Sequence, residues 1–312
     1  MYSKELTSTI LQLAGTEEGR DSAHKMFEKL KPEHFDLMTS LVNIPPELKD
    51  LYKSIMTGNL DTLFKLTEKL SDWFRTGDII MMAGNSHSSE ILLKVQKRYY
   101  KGTRSSHIAI VQADFIAVDA MPQLGVTTRL VSDILKDAKD DWRIIRFRNL
   151  NSQNYEAIQK ASTYFFLQPY LIFPGKKPSK KFSYCSELAR KIYEHSDIKK
   201  TGIPNSPIIK PCDFDILADT SKNWEDVTEQ LRPAVEMVQN ISPVLSRFSM
   251  HYTNGLRLNK ERFEDRKNQR TKIKRLQKQG KIAESMANKY INLLNDADKN
   301  MNNTFWDSPK RK

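Results

Sequence analysis

Cysteine is nearly absent: Cys185 and Cys212 are the only two in 312 residues. An extracellular chain of this size held together by disulfides would need more of them, so the composition points to a reduced compartment. Two cysteines cannot close a zinc site, and His87, His195 and His251 have no partner at ligand spacing, so no metal or other cofactor is expected. Glycine is scarce at 11 residues. Gly84 and Gly102 belong to no phosphate-cradling pattern, and no fixed-period repeat announces a propeller or solenoid. Long apolar runs are missing as well. The densest stretch, Tyr164 to Phe173, is broken by Gln168 and Pro169, well short of the ~18 apolar residues of a membrane span. The opening MYSKELTSTILQLAGTEEGRD has one lysine and no continuous apolar core, so it does not read as a Sec signal peptide. Synthesis in a cytoplasm is the expectation, with export by a signal-less route left open.

Hydrophobic residues make up 39% of the chain and aromatics 9%, enough for a packed core. Three regions follow one another. Residues 1–72 read as helices, with Leu6, Ile10, Leu11 and Leu13 at helical spacing and a second stripe of Leu51, Ile55, Met56, Leu60, Leu63 and Leu66. Asn43-Ile44-Pro45-Pro46 interrupts them. Residues 73–222 change pattern: Ile79–Met82, His107–Val111, Phe115–Val118 and Arg143–Phe147 read as strands. Helices are expected after Ser86, over about Ser152–Leu167, and from Cys185. Short turns between these strands predict an α+β fold with an antiparallel sheet. Residues 223–312 are helical and increasingly polar. Within them Arg257–Lys281 sets eleven bases against Glu261, Glu264 and Asp265, a net of +8 out of +12 for the whole chain. This segment predicts an exposed helix with a broad cationic face, suited to a polyanion or an anionic membrane, or simply to water.

A thiol attacks as thiolate, and an ordinary cysteine with a pKa of ~8.5 is mostly protonated at neutral pH. It is activated by a nearby imidazole and by the unpaired N–H groups of a helix N-terminus. Cys185 falls where a helix should begin, after the Pro174–Ser179 loop. His107 opens an apolar strand, a rigid mount for a base. A third polar group usually orients such a base. Asp119 closes the next strand run, and a hairpin would return it beside His107. On these residues alone a buried structural cysteine is the competing reading, and for Asp119 a turn acceptor.

Four phrases stand in one order: Thr76-Gly77-Asp78-Ile79-Ile80, Ser105-Ser106-His107-Ile108-Ala109-Ile110-Val111, Val118-Asp119-Ala120 with Gly125-Val126, and Tyr184-Cys185-Ser186-Glu187-Leu188. The series resembles the circularly permuted NlpC/P60 papain-like hydrolases of the YiiX/YaeF-like group, over roughly residues 74–218. That resemblance implies a permuted papain-like core with added N- and C-terminal helices, Cys185 as nucleophile and His107 as general base. Asp119 stands where the family usually has Glu, and Ala109 where it has Gly. Tyr184 matches the aromatic before the nucleophile, lining the site or assisting an oxyanion hole whose default donor is the Cys185 N–H. Pro211, Cys212 and Asp213 resemble the family's late proline turn. The implied activity is cleavage of an acyl-bearing substrate, peptide-like or lipid, through an acyl-enzyme. Acyl transfer on the same scaffold, with Tyr164–Phe173 as a lipid groove, and a non-catalytic module binding polyanions are the alternatives.

Overall fold

The computed structural model describes residues 25, 29–57, 61–171 and 181–300. The expected stripe of Leu6, Ile10, Leu11 and Leu13, together with Leu60, Ile172, Phe173 and the 174–179 loop, lies outside them. The chain divides into two compact units, residues 29–249 and, among those described, residue 25 with residues 250–300.

The first unit opens with α1 (Pro32–Leu41), a 3-10 turn (Pro46–Leu48), α2 (Lys49–Met56) and α3 (Asp61–Thr67). Pro46 starts that turn because proline's fixed φ suits a first helical position and its missing N–H needs no acceptor there. Leu51, Tyr52 and Ile55 are the buried residues of α2. There follow β1 (Ile79–Met82), α4 (His87–Gln96), β2 (His107–Ala113), β3 (Ile116–Met121), β4 (Gly125–Leu130) and α5 (Val131–Lys136). Then come β5 (Arg143–Phe147), α6 (Ser152–Phe165), α7 (Cys185–His195), α8 (Pro211–Thr220), β6 (Trp224–Asp226) and α9 (Thr228–Asn240). α10 (Ser242–Lys278) belongs to this unit as far as Ser249, and α11 (Glu284–Asn300) lies wholly in the other.

The architecture is α+β. One six-stranded antiparallel sheet runs in the order β4-β3-β2-β1-β5-β6. All four residues of β1 are buried, as a central strand covered on both faces requires. On one face Ile79, Met81, Ile108, Ile110, Val118 and Ile145 meet the apolar sides of α6, α7 and α8. α9 packs on α5 and β5. Phe165 joins the core and Phe166 is fully buried, so this part of the stretch offered as an alternative lipid groove is core packing.

The turn into β1 is fixed by charge. Asp78 is wholly buried and takes two 2.8 Å bonds from the Arg146 guanidinium and one of 2.8 Å from the Arg75 N–H. Arg146 also reaches Asp72 at 2.5 Å and the Trp73 carbonyl at 2.8 Å. Gly77 before it has φ +96°, and a Cβ there would strike Leu150 and Ile158. Its carbonyl accepts the Tyr193 hydroxyl at 2.7 Å. Asp78 therefore has a structural role, tying β1 to β5 at the sheet's centre.

In the second unit the rest of α10 and α11 are joined by a turn in which Gly280 has φ +68°. Arg266 and Arg270 both bond Asp298, the latter at 2.6 Å. Phe263 and Ala287 are buried. Part of the Arg257–Lys281 charge is thus met by a carboxylate on α11, and Lys281 falls beyond the helix end.

Candidate active site

His107 is mounted from behind. Asp215, fully buried, accepts the N–H groups of Arg104 and Ser105, both at 3.0 Å, and the Ser105 hydroxyl at 2.8 Å. Ser106 donates its N–H to the Met82 carbonyl at 2.9 Å, and its hydroxyl bonds the Ser89 hydroxyl of α4. The ring then projects from the first residue of β2, opposite Met82.

Asp119 sits opposite Ala109 in the β2–β3 ladder, two residues along from His107 and therefore on the same face. Its Oδ2 lies 3.0 Å from His107 Nε2. That contact commits Nε2 to donating its hydrogen and leaves Nδ1 to face the thiol. Arg129 on β4 brings Nη1 to 3.4 Å from the same carboxylate oxygen. Its Nη2 is held by the Asp133 carbonyl at 3.1 Å and the Asp137 carboxylate at 3.3 Å.

Cys185 is the first residue of α7, following Tyr184 in extended conformation. Its own N–H has no acceptor within the helix, as for every first-turn residue. Burial opposes charge on the sulfur, but the His107 ring and hydrogen bonds from His107 and from the N–H groups of Ile108 and Ser186 outweigh it and lower the thiol's pKa. Burial likewise disfavours a charged His107. The Cys185 sulfur and the Asp119 carboxylate reverse that and raise the ring to about 10. The arrangement favours a thiolate–imidazolium pair oriented by a buried carboxylate. Cys212 is the internal contrast: burial and the Asp213 carboxylate push it up to about 11. At neutral pH iodoacetamide is therefore expected to modify Cys185 well before Cys212 in the folded chain, read by peptide mass mapping. Equal labelling would remove the activated thiolate.

Tyr184 turns its hydroxyl to the Ile209 N–H, which donates to it at 3.1 Å, so the ring braces the turn before α8. Tyr170 was read only as part of the apolar stretch offered as a lipid groove, not as a neighbour of the thiol. It is partly buried, and burial together with the Cys185 and Tyr184 charges raises its phenol to about 12, keeping a protonated hydroxyl near the sulfur. Arg129 and Asp215 were also missed. Reading Gly125–Leu130 as a strand pairing with β3 would have brought Arg129 within diagonal reach of Asp119. Asp215 had no short-range signal, since its partners lie 110 and 111 residues away.

Among the described residues no group of three or more His, Cys, Asp or Glu is placed to hold a metal ion, and no helix is long and apolar enough to cross a membrane. No family model matches the chain, and no curated protein does. Among solved structures, the metalloprotein YiiX of Escherichia coli O157:H7, DUF1105, aligns with 49% of this chain and 96% of its own. The identity is 15% and the TM-score 0.38.

Proposed function

We propose that the protein is a cysteine hydrolase of permuted papain-like type that cleaves an amide or ester through an acyl-enzyme on Cys185. The observation that carries this reading is the Cys185–His107–Asp119 constellation: a helix-start thiol paired with an imidazole whose other nitrogen is 3.0 Å from a buried carboxylate. A thiolate so formed attacks the acyl carbon, and the developing oxyanion is received by the Cys185 N–H. The C–N or C–O bond then breaks as His107 gives its proton to the leaving amine or alcohol. Water adds to the thioester while His107 takes one of its protons. The C–S bond breaks, the acid leaves, and the thiolate–imidazolium pair is restored. If an acceptor alcohol or amine replaces water in the second half, the same steps give acyl transfer. Products formed with and without such an acceptor separate the two.

The test is direct trapping. Short-chain activated esters, acyl amides and glycerolipid esters are each mixed with the full chain, and the acyl mass is located by intact-protein and peptide mass spectrometry. An adduct on Cys185 that is lost in His107→Ala supports the reading. No adduct from any donor, or an adduct on Cys212 instead, would leave a non-catalytic binding module as the better account.

A further inference from the structure

α4 is built inside out. Its buried residues are polar: Ser89 bonds Ser106, and the Gln96 amide donates to the Ser105 carbonyl at 3.0 Å and accepts the Cys212 N–H at 2.8 Å. Its outward side is apolar instead, with Ile91 at 50%, Leu92 at 39% and Val95 at 43% exposed. These three fall within roughly 100° of one another around the helix. Tyr99, 66% exposed, continues the stripe through the following turn.

The rim of this stripe is mainly cationic. Lys94, Lys97, Arg98 and Lys101 are all exposed, and Lys210 lies over the Tyr99 ring, 4.4 Å from its centre. The acid of the segment, Glu90, is met by Lys139 at 3.6 Å. A short apolar ridge flanked by lysine and arginine is the signature of a helix that lies in the headgroup region of an anionic bilayer. There the ridge enters the acyl boundary and the cations stay among the phosphates. A protein partner would need acids arranged around an apolar groove. A bilayer needs only negative charge over hydrocarbon, and that matches what α4 displays.

We propose that α4 and the turn after it dock this protein on an anionic membrane surface. The helix is hydrogen-bonded to Ser105 and Ser106, the two residues before His107. Docking would therefore set the candidate site beside the bilayer, where acyl groups are carried. That last consequence rests on the hydrolase reading, but the docking itself does not.

The experiment keeps the two apart. The full chain carries Cys185→Ser, which leaves the buried Cys212 as the other thiol, and Val95→Cys bearing an environment-sensitive fluorophore. It is titrated with phosphatidylcholine vesicles with and without phosphatidylserine. The expected result is a blue shift confined to the anionic vesicles and a partition coefficient that falls on the order of tenfold with Leu92→Glu. Lys97→Glu with Arg98→Glu is expected to weaken binding by a similar order, and more so as salt is lowered. Co-sedimentation without any fluorophore shift would assign binding to another surface, such as Arg257–Lys281, and overturn the proposal. Equal binding to neutral vesicles, or none to either, would also overturn it. Because the background lacks the nucleophile, failure here says nothing against hydrolysis, and failed acyl trapping says nothing against docking.

Discussion

Replacing Cys185 by Ser is expected to abolish turnover of any substrate found by trapping, while leaving the unfolding midpoint close to that of the parent chain. His107→Ala should cost on the order of 10²–10⁴-fold, the range of general acid–base catalysis. The double variant should be little worse than either single one, because the two groups act as a unit. Asp119→Ala should cost less, and Asp119→Glu should retain part of the activity if the carboxylate's task is to hold Nε2. The pH profile follows from the two shifts. The thiol is lowered, so kcat/KM should rise with its ionisation at a pH below that of an ordinary cysteine. The ring is raised to about 10, so the imidazolium proton needed by the leaving group is lost as pH climbs through that value and the rate falls again. Both limbs belong to the coupled pair rather than to either residue. An activity unchanged by Cys185→Ser, or a profile that only begins to rise near pH 8.5, the ordinary cysteine value of about that size, would sink the assignment.

The largest effect on stability should come from the charge at the sheet's centre. Asp78→Ala leaves the Arg146 guanidinium, 8% exposed, without two of its four hydrogen bonds. Asp72 still pairs with Arg146, so the loss should fall toward the lower end of the about 3–5 kcal/mol for breaking a buried pair. Arg146→Met strands Asp78 in the same way. The Asp78→Ala, Arg146→Met double variant should be much less destabilised than the two losses added together, since neither charge is then left behind. Urea midpoints at unchanged m-value measure this cycle. Single variants within about 0.5 kcal/mol of the parent would place Asp78 among ordinary surface positions.

Periodicity and turn chemistry made much of this chain legible. Ile79–Met82 and Arg143–Phe147 are strands as read, and α6 and α7 begin at Ser152 and Cys185, where the sequence put them. The predicted helix after Ser86 exists and ends at Gln96. β4 and β6 escaped notice for different reasons. Gly125–Leu130 interleaves Thr127, Thr128 and Arg129, too polar to stand out as a buried run, yet pairing on β3 buries most of it. β6 is three residues at a sheet edge, shorter than any pattern can resolve. Of the candidate site, the His107–Asp119 contact was accessible because a hairpin makes it local, 12 residues apart. The supports from Arg129 and Asp215 depend on strand register and on a helix far along the chain. Asp78 and Arg146, 68 residues apart, were invisible as a pair for the same reason.

The order of these pieces along the chain has a consequence for the newly made protein. His107 and Asp119 come together by closing one hairpin, whereas Cys185 arrives 78 residues after the histidine. It joins them when α7 packs against the sheet, in the core shared with β1, β2 and β5. Contacts of such long sequence separation form late, after the entropy of closing the intervening chain has been met. Until then Cys185 is an ordinary thiol, without the imidazole or the Ile108 N–H that lower its pKa. A partly folded chain therefore lacks the paired thiolate, and that activation is acquired as α7 docks on the sheet.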